Sequence, residues 1–203
     1  MTRAFLFSAL LASFLTQPAL AQTTEAEAPE TNTETTAQNG LSLGEPVGPQ
    51  PGDTFVAETH GDWQIRCIAV EEGQTEPCQL YQLLADDALN PVAEINIFDV
   101  PDDGQLIAGA TIVTPLDTLL LPQLRLSIDG AQTRQYPFSF CQPVGCFVRI
   151  GLTEGDLQAL RGGSAGRISI VPLPAPDQTV DLNISLTGFT AGFAALMART
   201  AAP

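Results

Sequence analysis

The sequence predicts an all-β fold: an antiparallel β-sandwich of about nine strands, with one short helix and a C-terminal helix. Three observations carry this reading. Beyond residue 60 the dominant hydrophobic period is two, as a strand with one buried face requires. Turn-forming clusters recur at short spacing: Glu71-Glu72-Gly73, Asp86-Asp87, Asp102-Asp103-Gly104, Asp129-Gly130, Pro143-Val144-Gly145 and Pro172 to Pro176. No long helical pattern alternates with the strands, so the crossovers of a parallel sheet are missing.

Residues 1–21 begin with Arg3 and the apolar run Ala4 to Leu15, and end in Pro18-Ala19-Leu20-Ala21. These are the parts of a secretory signal peptide cleaved after Ala21, and the run is shorter than the roughly 20 residues a membrane span needs. No Cys stands at the cut site to take a lipid. Residues 22–59 are rich in Thr, Glu, Ala, Pro and Gly, with Phe55 the only aromatic. Such a stretch buries too little apolar surface to offset its ordering entropy, and it is expected to be a disordered acidic linker. The domain is then 60–203.

Within it, Trp63, Ile65 and Cys67 alternate with Gln64 and Arg66, Leu124, Leu126 and Ile128 with Arg125 and Ser127, and Val180, Leu182, Ile184 and Leu186 with Asp181, Asn183 and Ser185. Further strands are expected over 78–84, 92–98, 105–113, 134–140, 146–152 and 166–171. Thr153 with Asp156 three residues on makes a capping box, and Gly162-Gly163 a stop, so a short helix is expected over 154–161. Phe189, Phe193, Leu196 and Met197 fall at i, i+4, i+7 and i+8 and form the apolar stripe of a helix over 189–199, expected to cover an open end or face of the sandwich.

Composition narrows the chemistry. The 203 residues hold 23 Asp and Glu against 8 Arg, no Lys and the single His60, a net charge of −15. Without basic clusters, phosphate-backbone binding and docking on anionic lipid lack their driving force, so no nucleic-acid partner is expected. The missing Lys excludes a Walker-type phosphate loop and Schiff-base chemistry. A two-His metal site is impossible with one His. Seven acids lie in the linker, leaving the domain 16 acids against 7 Arg.

Four Cys in an exported chain are expected to pair, and three pairings exist. Cys67–Cys78 and Cys141–Cys146 are favoured, because each pair flanks a turn that brings neighbouring strand ends together. Neither spacing is Cys-x-x-Cys, which points to structural bridges over redox or zinc chemistry. Trp63, on the parity of Cys67, reads as a core residue. Tyr81 and Phe147 fall on the parity opposite to Leu80 and Val148, which marks them as outward aromatics and a candidate interaction surface.

His60-Gly61-Asp62-Trp63-Gln64-Ile65-Arg66-Cys67, Pro77-Cys78-Gln79-Leu80 and Pro137-Phe138-Ser139-Phe140-Cys141-Gln142-Pro143-Val144-Gly145-Cys146 resemble the invasion-associated locus B family of exported alphaproteobacterial proteins. The likeness runs from about residue 60 to Leu186-Thr187-Gly188-Phe189-Thr190-Ala191-Gly192-Phe193. It implies a periplasmic, secreted or outer-surface β-rich domain, associated by family name with host-cell invasion, with no catalytic residues to carry over.

Two motifs invite other chemistry. Gly162-Gly163-Ser164-Ala165-Gly166 fits the Gly-x-Ser-x-Gly elbow, but an elbow needs strand, Ser, helix, and here the expected order is helix, Ser, strand. Asp99, Asp102 and Asp103 before Gly104 invite calcium, yet lack the alternating ligands of an EF-hand. The expectation is therefore a non-catalytic envelope or surface interaction protein without cofactor or metal, meeting an envelope or host protein. A carrier of a small apolar ligand or lipid between the sheets is the alternative, and a hydrolase a third.

Overall fold

The computed structural model describes Gly44 and residues 47–101, 104–131 and 133–201. The described residues from Val47 onward form one compact unit. Its seven-stranded sheet has the order β1-β2-β3-β4-β5-β9-β8: β1 is Thr54–His60, β2 Trp63–Ile68, β3 Cys78–Ala85, β4 Pro91–Asp99, β5 Ala108–Thr114, β8 Phe138–Gln142 and β9 Gly145–Leu152. The four-stranded sheet has the order β11-β10-β6-β7, with β6 Leu124–Ile128, β7 Arg134–Tyr136, β10 Ala165–Ile170 and β11 Val180–Ser185. Every adjacent pair is antiparallel. Helix α1, Glu154–Gly162, follows β9, and α2, Phe189–Thr200, follows β11.

The expected sandwich with a short and a C-terminal helix is what forms, with two departures in the strands. The folded unit reaches further towards the N-terminus than residue 60: Thr54–His60 is strand β1, paired from Thr54↔Ile68 to His60↔Trp63. A register shift between Val56 and Glu58 breaks its alternation, and the strand is an edge, so its sequence carries little hydrophobic period. The earlier part of the expected linker, up to residue 43, and the expected signal peptide lie outside the described residues. The single strand expected over 134–140 is two, β7 and β8, in different sheets. Pro137 stands between them, where its fixed φ and missing N–H suit a crossing from one sheet to the other.

The core lies between the sheets. Trp63, Ile65, Leu80, Leu84, Ile97 and Ile112 from the large sheet meet Leu124, Ile168, Leu182 and Ile184 from the small one, all fully buried. Helix α2 packs on β1–β4, where Phe189, Phe193 and Leu196 complete this core, while Met197 is half-buried beside it. Trp63 meets the Phe189 ring edge-on, with centroids 5.4 Å apart. Both bridges form between register partners, Cys67–Cys78 across β2 and β3 and Cys141–Cys146 across β8 and β9.

The motifs Gly61-Asp62-Trp63 and Leu186-Thr187-Gly188 meet in space. Gly188 has φ +86°, and a Cβ there would lie 2.0 Å from the His60 carbonyl oxygen. Gly61 has φ +57° and sits against the Thr187 carbonyl in the same way. Two bare backbones thus press the β1–β2 turn onto the start of α2, and the Asp62 N–H donates to the Thr187 carbonyl at 3.1 Å. Beneath this contact Gln82 is buried and points inward: its amide accepts from Ser185 N–H (2.8 Å) and donates to the carbonyls of Ser185 (3.0 Å) and Asp62 (3.3 Å). The Trp63 indole N–H also donates to the Ser185 carbonyl, at 2.8 Å.

Candidate interaction surface

Strand periodicity places two rows of side chains across the outer face of the large sheet. One row runs Leu83, Glu94, Val113, Phe147, Phe140, each opposite the next on the neighbouring strand. The adjacent row runs Tyr81, Asn96, Thr111, Arg149. Leu83 is 54% exposed, Phe140 45% and Val144, in the β8–β9 turn, 76%. Gln135 to Val148 contains no charged residue, in a chain with 31 of them. The apolar end of the first row is therefore an uncharged corner of an acidic molecule.

Of the two outward aromatics expected, Phe147 is half-buried and Tyr81 is buried. Phe147 stacks with Phe140, centroids 4.8 Å apart and planes 20° from parallel, so the pair forms one aromatic platform at the edge of the sheet. Tyr81 does lie on the outer parity, but the Arg66 guanidinium covers its ring at 3.3 Å from the centroid. Gln64 holds that guanidinium in place, its Oε1 accepting from Nε (3.1 Å) and Nη2 (2.9 Å). Parity gives direction and not exposure, since a long cation on the neighbouring strand covers a ring as readily as a packed layer does. Phe140 is the surface residue that outward parity had not singled out; the signal was its place opposite Phe147 in a disulfide-closed hairpin.

Between the two rows lies a groove of about 420 Å³ whose walls include Phe98 on one side and Phe140 and Phe147 on the other. Asn96 and Thr111 are central in it. The Asn96 side chain donates to Glu94 Oε1 at 3.1 Å, while its Oδ1 is buried without a hydrogen-bond partner. Arg149 is exposed and makes no ion pair among the described residues.

The other motifs resolve into structure. Ser164 follows α1 and precedes β10, and its N–H, with that of Ala165, donates to the Asp129 carboxylate at 2.9–3.0 Å. It is a residue of a braced helix-to-strand turn, with no nucleophile-elbow geometry. Asp99 ends β4, while Asp102 and Asp103 lie outside the described residues. The one group of metal-ligating type among the described residues is Cys67, Glu76 and Cys78, whose two sulfurs are bonded to each other and offer no thiolate. The buried side chains of the core lie between the sheets, and a groove of about 750 Å³ opens where the two sheets meet, lined by Gln64, Tyr81 and Gln82 from the large one and Asn183, Ile184 and Ser185 from the small one. A cavity of about 400 Å³ opens beside α1, lined by Leu126, Ile128, Tyr136 and Ala159, with the Arg134–Asp156 ion pair also on its wall.

The family described as "Invasion associated locus B (IalB) protein" matches residues 63–197. Among solved structures, the crystal structure of invasion associated protein b from Bartonella henselae superposes with a TM-score of 0.58 at 25% identity, covering 70% of this chain and 94% of that one. No curated protein matches the chain.

Proposed function

The chain belongs to the invasion associated locus B family, and from that premise we propose that it is an exported, non-catalytic interaction protein of the periplasm or cell surface. The observation that carries this reading is the Phe140–Phe147 platform, an exposed aromatic corner held at the sheet edge by the Cys141–Cys146 bridge. Uncharged, rigid aromatic surface is what a partner's recognition site exploits, because little entropy is lost on binding. Export is supported by two disulfides and no free cysteine among the described residues. No helix of the described residues is long and apolar enough to cross a membrane.

Two measurements test the reading. Fractionation of producing cells followed by N-terminal sequencing is expected to find the chain beginning at Gln22 in the periplasm or medium; a cytoplasmic, full-length chain overturns export. Crosslinking in intact envelopes is expected to capture a partner that Phe140→Ser and Phe147→Ser both lose. Capture unchanged by either substitution overturns the assigned surface.

A further inference from the structure

The groove on the outer face of the large sheet combines features that a merely solvated sheet face does not need. Asn96 sits at its centre only 6% exposed, and its Oδ1 is buried without a donor. A buried unpaired acceptor loses its hydration and gains nothing in return, unless another molecule brings an O–H or N–H to it. The Phe98 ring sits over β5 at Gly109, which has no side chain to displace it: a Cβ there would meet the ring at 2.4 Å. Phe147, backed by Phe140, stands at the opposite end. Two aromatic walls thus flank a polar floor.

The charges of the groove set the ligand's charge. Glu94 and Arg149 are its ionisable residues, one of each sign, so the groove is neutral. An anionic polymer meets the acidic surplus of the domain, 16 acids against 7 Arg over residues 60–203, and a cationic segment meets the Arg149 guanidinium. The floor offers acceptors at Glu94 and Asn96, a donor at Arg149 and both at Thr111, alternating across strands about 4.8 Å apart. A ligand matching this pattern is uncharged, dense in groups that donate and accept, and has apolar faces to lie on aromatic rings. Sugar rings have these properties together, whereas an extended peptide pairs its main chain with sheet edges and presents side chains to a face.

We infer that this groove binds an uncharged oligosaccharide segment, with Asn96 Oδ1 accepting from a sugar hydroxyl or acetamido N–H and the rings of Phe98 and Phe147 holding sugar faces. The inference rests on the reading of this face as the interaction surface and names its ligand class. In a cell envelope or at a surface, such segments belong to glycans.

The test is titration of the ¹⁵N-labelled protein with chitotetraose, cellotetraose and maltotetraose at up to about 20 mM, followed by amide and side-chain shifts. At least one sugar is expected to move the Asn96 amide and the neighbouring Thr111 and Arg149 signals. Asn96→Leu and the exposed Arg149→Ala are expected to weaken binding at least tenfold while the melting temperature stays within a few degrees. Saturation of the wild-type protein by none of the three sugars overturns the inference. Binding that Arg149→Ala leaves intact also overturns it, and this holds even where Asn96→Leu fails to fold. Envelope capture through Phe140 and Phe147 that persists without saccharide binding retains the interaction reading and removes only its assigned ligand; a protein as the captured partner, bound across Asn96, does the same.

Discussion

Gln82 and Gly188 show how single residues specify the packing of this fold. Gln82 lies on an inward strand position that pattern alone would give to an aliphatic, and it is retained where Ser185 turns a backbone N–H and carbonyl into the interior. Gln82→Leu leaves that N–H without its acceptor and is expected to cost about 1–3 kcal/mol, measured as a shift in the urea midpoint at unchanged slope. Gly188→Ala meets both a left-handed backbone and the His60 carbonyl, so its cost is expected to exceed the roughly 1–2 kcal/mol of the conformation alone. Trp63 was legible as core from its parity with Ile65 and Cys67. The burial of Tyr81 was not, because it depends on Arg66, which lies on another strand and reaches over the ring only once the register Gln64↔Tyr81 is set.

At the scale of elements, legibility followed the strength of local signals. Helix α1 was marked by its capping box and forms with it: the Thr153 hydroxyl accepts from Asp156 N–H, and the Asp156 carboxylate accepts from Thr153 N–H at 3.0 Å. Burial opposes the Asp156 charge, but the Thr153 hydroxyl and N–H, with Arg134, outweigh it and lower the pKa below the usual aspartate value. A lowered folded-state pKa contributes stability above the unfolded value of about 4, and that contribution is lost as pH falls through the folded one. Asp156→Asn is therefore expected to lower the melting temperature at pH 7 and to flatten its fall below about pH 4; an unchanged acid profile counts against the pairing. Strands β1 and β8 were harder to read, since each is an edge of the large sheet with a register shift that interrupts its period. The same irregularities hinder pairing with a second sheet, which the uncharged β8 segment would otherwise invite.

For the whole molecule, the two disulfides divide between stability and presentation. Cys67–Cys78 closes the longer loop, with 11 residues of separation against 5, and lies in the core. Loop-closure entropy assigns it about 3 kcal/mol and the shorter bridge about 2 kcal/mol. For a domain whose total stability is on the order of 5–15 kcal/mol, loss of the pair is a large fraction. The expected order is that Cys67→Ala with Cys78→Ala lowers the melting temperature more than Cys141→Ala with Cys146→Ala. The second double variant is expected to keep its fold and yet lose capture of the partner, because β8 is held to β9 at a sheet edge where no further strand supports it, and Phe140 rides on that edge. Calorimetry of both variants beside envelope crosslinking separates the two roles. A Cys141–Cys146 deletion that unfolds the domain, or one that binds as the parent does, contradicts the division. The acidity that dominates the sequence bears on the same edge: repulsion among acidic surfaces disfavours indiscriminate contact, and on the proposed reading association falls to the uncharged run from Gln135 to Val148, whose β8–β9 part this bridge holds.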